Sequence, residues 1–295
     1  KLLTEMLHDS VAATKLLDSI LDGHATSAKP VQRETLSWLA KRLWNRGYEA
    51  FNDGELYKTI EHYEQCARFL RAAADNESLC RTTASLAHCH WLQGSYGKAI
   101  GFAREALALG QAPTSPGVPL GIDALAPADP TLLAHSVLIK SQLKVGDQDA
   151  AQASVDAFFR AHPSDHLLIA ALCQDVIAMD ATHTATAIKL LEGYLRALDS
   201  EMAGADERVH IASTVRSLMM MRSDDVAAAA RDDDERGAAA TYETCIMVSQ
   251  LGDARLLCKR IAQAGAEAVC DDADHLEWIG GKAWSLALEL VESFT

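Results

Sequence analysis

Residues Leu36–Leu70 read LSWLAKRLWNRGYEAFNDGELYKTIEHYEQCARFL, and this stretch decides the fold. Apolar residues recur at helical spacing on both sides of Asn52-Asp53-Gly54. A break this short forces the two flanking helices to run antiparallel. Gly47 stands seven residues before Gly54, Thr59 stands five after it, and Tyr63 and Cys66 follow in the second helix. In tetratricopeptide repeats, small residues at these two places let the first helix (helix A) press on the second (helix B). Trp44 falls where helix A of such a repeat carries its anchor, a large ring filling the gap between helices. Trp38 and Trp44, six positions apart, lie on different faces of one helix. One is expected to pack within its hairpin and the other against the next hairpin.

The pattern extends outward from there. A second unit holds Ala87, Trp91, Gly94, Tyr96, Ala99 and Ala106. A third holds Ile139, Gly146 and Ala151, with Pro163 closing its second helix. Thr59, Cys66 and Ile139 depart from the usual small residues. The turn glycines are 40 and 52 residues apart, against about 34 in a regular repeat, which reads as a degenerate array with insertions. Elsewhere the apolar spacing is helical and strict alternation is absent. The expected fold is all-α, a tetratricopeptide-like α-solenoid of antiparallel hairpins spanning residues 1–295. Residues 1–110 carry the recognisable repeats. A loop at 111–130 holds five of the seven prolines. Degenerate helical repeats follow over 131–295, with a charged helix end and turn around Asp224–Ala240. Solenoids of this kind curve into a concave surface that takes peptides or partner proteins.

Composition narrows the function. The net charge of −14 argues against direct contact with nucleic acid, which needs clustered Lys and Arg to displace counterions. The seven cysteines are scattered without a CxxC and read as small buried hydrophobes of a reducing compartment. No apolar run approaches the ~20 residues of a membrane span. The chain begins on Lys1 and stops inside helix-like patterns at both ends, which reads as a piece of a longer protein.

Several clusters invite a chemical reading. His88, Cys89 and His90 form the densest set of metal-ligand types, but residues two apart lie on different helix faces, so core packing is expected. His162 and His166 flank Pro163, where Ser164 or Asp165 is expected to cap a helix. The run Asp232–Glu235 points all round a helix and reads as a solvated face. Met219, Met220 and Met221 read as core. No phosphate-cradling loop, nucleophile elbow or catalytic triad can be argued from spacing. The expectation is a protein without catalysis, metal or cofactor. Repeat proteins that clamp a C-terminal carboxylate place Lys and Asn on helix A, where this chain has Trp44 and Tyr48, so Lys41, Arg42 and Asn45 do not make that clamp.

The tryptophan phrase occurs twice. LEWIGGKAWSLA, from Leu276, repeats Leu36, Trp38 and Trp44 as Leu276, Trp278 and Trp284. Trp278 and Trp284 are therefore expected to anchor a further hairpin. Together, the stretch from Leu39 to Leu70 and the phrase from His275 to Leu290 resemble the meiosis-specific sporulation and synapsis scaffolds, the Zip-four-like family. Its recurring E-W-[LI] and A-W-N elements match here apart from Ser285, which replaces the Asn, and the glycines at 280 and 281. Between about 110 and 270 the likeness is one of helical character alone.

The resemblance implies a nuclear, chromosome-associated scaffold that promotes crossovers and synaptonemal-complex assembly. It implies binding to other proteins, including an XPF-like heterodimer and other meiotic recombination factors, without catalysis. Asn45 and Tyr48, on the inward side of helix A, are the candidate partner-binding residues. The alternative is a general repeat adaptor in a co-chaperone, transport or cell-cycle assembly, which would be cytoplasmic.

Overall fold

The structure, a computed structural model, describes residues 10–26, 31–111, 129–163, 166–179, 184–198, 210–229, 250, 252–263, 265–266, 269–270 and 272–293. Among these residues there is no β-strand, and neighbouring helices pack in chain order. The chain divides into two compact units, 1–147 and 148–295.

The first unit holds α1 (Ser10–Thr26), α2 (Arg33–Asn52), α3 (Leu56–Ala72), α4 (Asn76–Leu92), α5 (Tyr96–Gly110) and α6 (Pro130–Lys144). Each helix from α2 to α5 packs on the next, and α6 also packs on α4. This is the contact pattern of stacked helical hairpins.

Four turns in this unit share one geometry. Gly54, Gly94 and Gly146 have φ of 77°, 76° and 79°, in the left-handed region that glycine adopts without steric cost. At the first turn, the Gly54 N–H donates to the Phe51 carbonyl and the Glu55 N–H to the Ala50 carbonyl. That pair of bonds is the Schellman closure of a helix end. The same pair recurs at Gly94 with Ser95 and at Gly146 with Asp147. The fourth member is Ala74, with φ 52°, which joins α3 to α4 through the same bonds to Arg71 and Leu70. The sequence gives no sign of this turn, because alanine seldom takes a left-handed backbone.

Ala74 also corrects the reading of the spacing. The 40 residues from Gly54 to Gly94 are filled by α3, a three-residue turn and α4, with no insertion. The repeat is long because its helices are 17 residues each. The proposed Pro-rich loop lies outside the described residues from 112 to 128. Pro130 is not in a loop but opens α6, where its missing N–H costs nothing. Before it, one Asp129 carboxylate oxygen accepts from the Thr131 and Leu132 N–H groups, at 2.8 and 3.2 Å.

Within the first hairpin, Gly47 lets α2 press on α3. A Cβ there would sit 2.5 Å from the Tyr63 ring. Thr59, Ala99 and Ala151, each five residues after a turn glycine, are all fully buried, as are Ala87 and Ile139 seven before. The core gathers Leu36, Leu39, Leu43, Trp44, Ile60, Phe69, Leu70 and Leu86. Burial of such side chains contributes roughly 1.5–3 kcal/mol each before chain entropy is set against it.

The second unit holds α7 (Gln148–Ala161), α8 (His166–Ile177), α9 (Thr184–Leu198), α10 (Ile211–Ala229), a helical segment at 252–263 and α11 (Ala273–Ser293). Helix α9 packs on α7, α8 and α10, and α10 packs on α11. Gly193 brings α9 against α7, leaving no room for a Cβ beside the Phe159 ring. Arg222 ties three helical segments together, reaching Glu192 at 2.6 Å and Asp253 at 3.1 Å. Of the methionine run, Met219 is core while Met220 is 48% exposed, so only part of it follows the core reading. Asp232–Glu235 lie outside the described residues, as do Ser164 and Asp165.

Candidate protein-docking face

Helices α2, α4 and α6 each end at one of the turn glycines, which puts them in a common register. Six residues before the glycine stand Tyr48, His88 and Lys140; three before it stand Phe51 and Trp91. The structure brings most of these together as a row. The Phe51 and His88 rings lie 6.4 Å apart. His88 stacks on Trp91 at 6.2 Å with planes 12° apart. The Lys140 ammonium stands 4.7 Å from the centre of the Trp91 ring, a cation–π contact. Phe51 is 37% exposed, Tyr48, His88 and Trp91 are half-buried, and Lys140 is buried. The buried Trp91 Nε1 has no hydrogen-bond partner. Rigid aromatic surfaces of this kind give large contact area at small entropy cost and dominate protein interfaces.

The candidate residues from the sequence divide clearly. Asn45 and Tyr48 are half-buried on α2, and Tyr48 occupies the place that His88 takes in the next hairpin. Trp44 is an anchor, 1% exposed and stacked on Tyr63. Trp38 is not: it is 44% exposed, with the Arg42 guanidinium 5.4 Å from its ring. Helix α2 is closed on the Trp44 side by α3, and Trp38 faces away from that contact. Trp91 is half-buried, packed against the alanine-rich core of α4, α5 and α6 and also between His88 and Lys140. Trp278 is half-buried under the Arg216 guanidinium, at 5.1 Å. Trp284 is 70% exposed and is not packed as an anchor among the described residues.

The reactive side chains are placed for packing. His88, Cys89 and His90 take three separate directions: His88 to the aromatic row, Cys89 into the core, His90 against the Phe102 ring at 5.3 Å. Burial holds the His90 imidazole below its ordinary pKa, and Lys98 adds to the effect. His162 lies 5.2 Å from Phe158. Among the described residues no three His, Cys, Asp or Glu side chains converge as metal ligands would. Burial pushes the thiols of Cys66, Cys89 and Cys173 up to about 12 and that of Cys80 to about 11. Two of them act as structural donors, Cys66 to the Ala40 carbonyl at 3.2 Å and Cys80 to the Ala106 carbonyl at 3.3 Å. A thiol held protonated is a poor nucleophile. Cys258 is exposed, Cys270 half-buried, and Cys245 lies outside the described residues. No described helix is long and apolar enough to cross a membrane.

No protein-family model, curated protein or solved structure matches the chain.

Proposed function

We propose that this chain is a non-catalytic scaffold that docks other proteins, and that it serves meiotic recombination, crossover formation and chromosome synapsis. The observation that carries the docking reading is the row of Phe51, His88, Trp91 and Lys140 on α2, α4 and α6, with Tyr48 three residues before Phe51 on α2. It sets the Phe51 ring at the surface of the helical stack, backed by the half-buried His88 and Trp91 rings and the buried Lys140 ammonium. The meiotic setting comes from the resemblance of the two tryptophan phrases, around Trp44 and Trp284, to the Zip-four-like scaffolds. The chain's net charge of −14 favours protein partners over direct contact with nucleic acid. In this reading the protein is nuclear and chromosome-associated, and Asn45 and Tyr48 belong to the partner-binding face.

The test is affinity purification from meiotic cells followed by mass spectrometry, with the native chain and with an Asn45→Ala/Tyr48→Ala chain. Recombination and synapsis proteins should come down with the native chain and be depleted with the variant. Capture of chaperones or transport factors alone would replace the meiotic reading with that of a general cytoplasmic adaptor. Equal capture by the two chains would remove Asn45 and Tyr48 from the face.

A further inference from the structure

Two stripes in the second unit share one spacing. On α8 stand Ala170, Cys173, Gln174 and Ile177. At the start of α10 stand His210, Ser213, Thr214 and Ser217. Each set falls at i, i+3, i+4 and i+7, so each lies along one side of its helix. Helix α9 packs on both helices and places Leu191 and Tyr194 between the two stripes. A stripe that closes on a neighbouring helix ordinarily carries large apolar side chains. Here most of the facing residues are small, and the space they leave is a cavity of about 370 Å3.

The walls define what fits. Leu191 and Cys173, 6% and 3% exposed, make an apolar floor, and Ile177, 42% exposed, stands at the rim. None of the described lining residues is Asp, Glu, Lys or Arg, although these make up 23% of the chain. A charged group drawn inside would lose its hydration and meet no opposite charge. The hydroxyls are already committed as donors. Those of Ser213 and Thr214 both donate to the His210 carbonyl at 2.8 Å, and that of Ser217 donates to the Ser213 carbonyl at 3.0 Å. A hydroxyl has one proton to give, so these three oxygens keep only lone pairs for a further partner. The cavity thus sets a short row of acceptors beside an apolar floor. Its volume is at the low end of ordinary ligand sites, roughly 300–1,000 Å3, which suits one or two rings.

We propose that this cavity binds one small, uncharged aromatic group that carries an N–H or O–H donor, as indole and phenol do. The ring lies against Leu191, Ile177 and Tyr194, and the donor reaches the hydroxyl oxygens of α10. Such a group arrives either as a free molecule or as the side chain of a partner's tryptophan or tyrosine, and the two share one chemistry. The site belongs to the second unit and depends on neither the aromatic row of the first unit nor the meiotic reading.

The probes are indole, 1-methylindole, which lacks the N–H, and N-acetyltryptophanamide, which presents the same ring as a peptide does. Each is titrated into the full chain by isothermal titration calorimetry. The expected result is saturable one-to-one binding of indole. It should weaken at least fivefold for 1-methylindole, and at least tenfold with an Ala170→Phe chain, whose added ring fills the cavity. Tighter binding of indole than of N-acetyltryptophanamide assigns the site to a free molecule, and the reverse order assigns it to a partner's side chain. Should the Ala170→Phe chain lose the native circular dichroism, nuclear magnetic resonance of the native chain takes its place, and the His210 ring signals should shift as indole is added. No binding at millimolar indole would overturn the proposal. So would equal binding of indole and 1-methylindole, equal binding to the native and Ala170→Phe chains, or His210 signals that stay fixed.

Discussion

Trp44 and Tyr63 stack with ring centroids 4.7 Å apart and planes 22° apart, and Gly47 lies beneath the same tyrosine ring. Three residues from two helices thus make one joint. Gly47→Ala should push the ring aside and destabilise the first unit by about 1–3 kcal/mol. Tyr63→Ala should cost about 3 kcal/mol or more by leaving a cavity. In the double variant the methyl group has space, so the cost of Gly47→Ala should vanish or reverse, since alanine is the better helix former. Urea unfolding of the four chains measures this coupling.

The turn at Ala74 is the strained member of a set of four. Ala74→Gly should relieve the left-handed alanine and raise stability by up to about 1 kcal/mol. Gly54→Ala should lower it by a similar amount. Equal effects of both substitutions in one direction, by thermal or urea unfolding, would show that backbone conformation is not what separates these turns.

Burial lowers the pKa of both His90 and His62 from the ordinary histidine value of 6.5. A histidine with a depressed folded pKa binds fewer protons folded than unfolded, so acid favours the unfolded chain. Its contribution to stability is fully present above pH 6.5 and is lost as pH falls below 6.5 towards the folded pKa. The urea midpoint should therefore drop between pH 7 and pH 5. His90→Phe, which keeps a ring against Phe102, should make that drop smaller. An unchanged pH profile would show that His90 is not the group responsible.

The thiols should react in two classes. Cys258 is exposed and should label quickly with iodoacetamide in the native state. Cys66, Cys80, Cys89 and Cys173 are buried and held protonated, so they should label only on unfolding. Peptide mapping by mass spectrometry reads each site separately.

Much of the first unit is legible in the sequence, for a physical reason. A left-handed turn selects glycine, so Gly54, Gly94 and Gly146 announce their turns, and close helix approach selects a small residue, so Gly47 announces the contact with α3. Ala74 makes the same turn without that signature, and its strain is met by the helices on either side. Trp38 and Trp44 show the limit of periodicity. Both sit on α2, and only the position of α3 decides that Trp44 is buried and Trp38 exposed. The echo at Trp284 has the same letters and an exposed environment, because among the described residues no helix plays the part of α3 there. The row of Phe51, His88, Trp91 and Lys140 is spread over 90 residues of chain, yet a signal for it exists: these residues stand three or six positions before the turn glycines, and counting back from Gly54, Gly94 and Gly146 would have collected them.

The docking claim rests on Phe51, the exposed end of that row, and on Tyr48 three residues before it on α2, and one measurement tests it most directly. Take the partner captured by affinity purification and titrate it into the native chain and into a Tyr48→Ala/Phe51→Ala chain, with unfolding curves run in parallel. The account predicts at least a tenfold loss of affinity, the size expected for removing two aromatic contacts from an interface, with little change in the unfolding midpoint. An unchanged affinity would contradict it and place partner binding elsewhere on the chain.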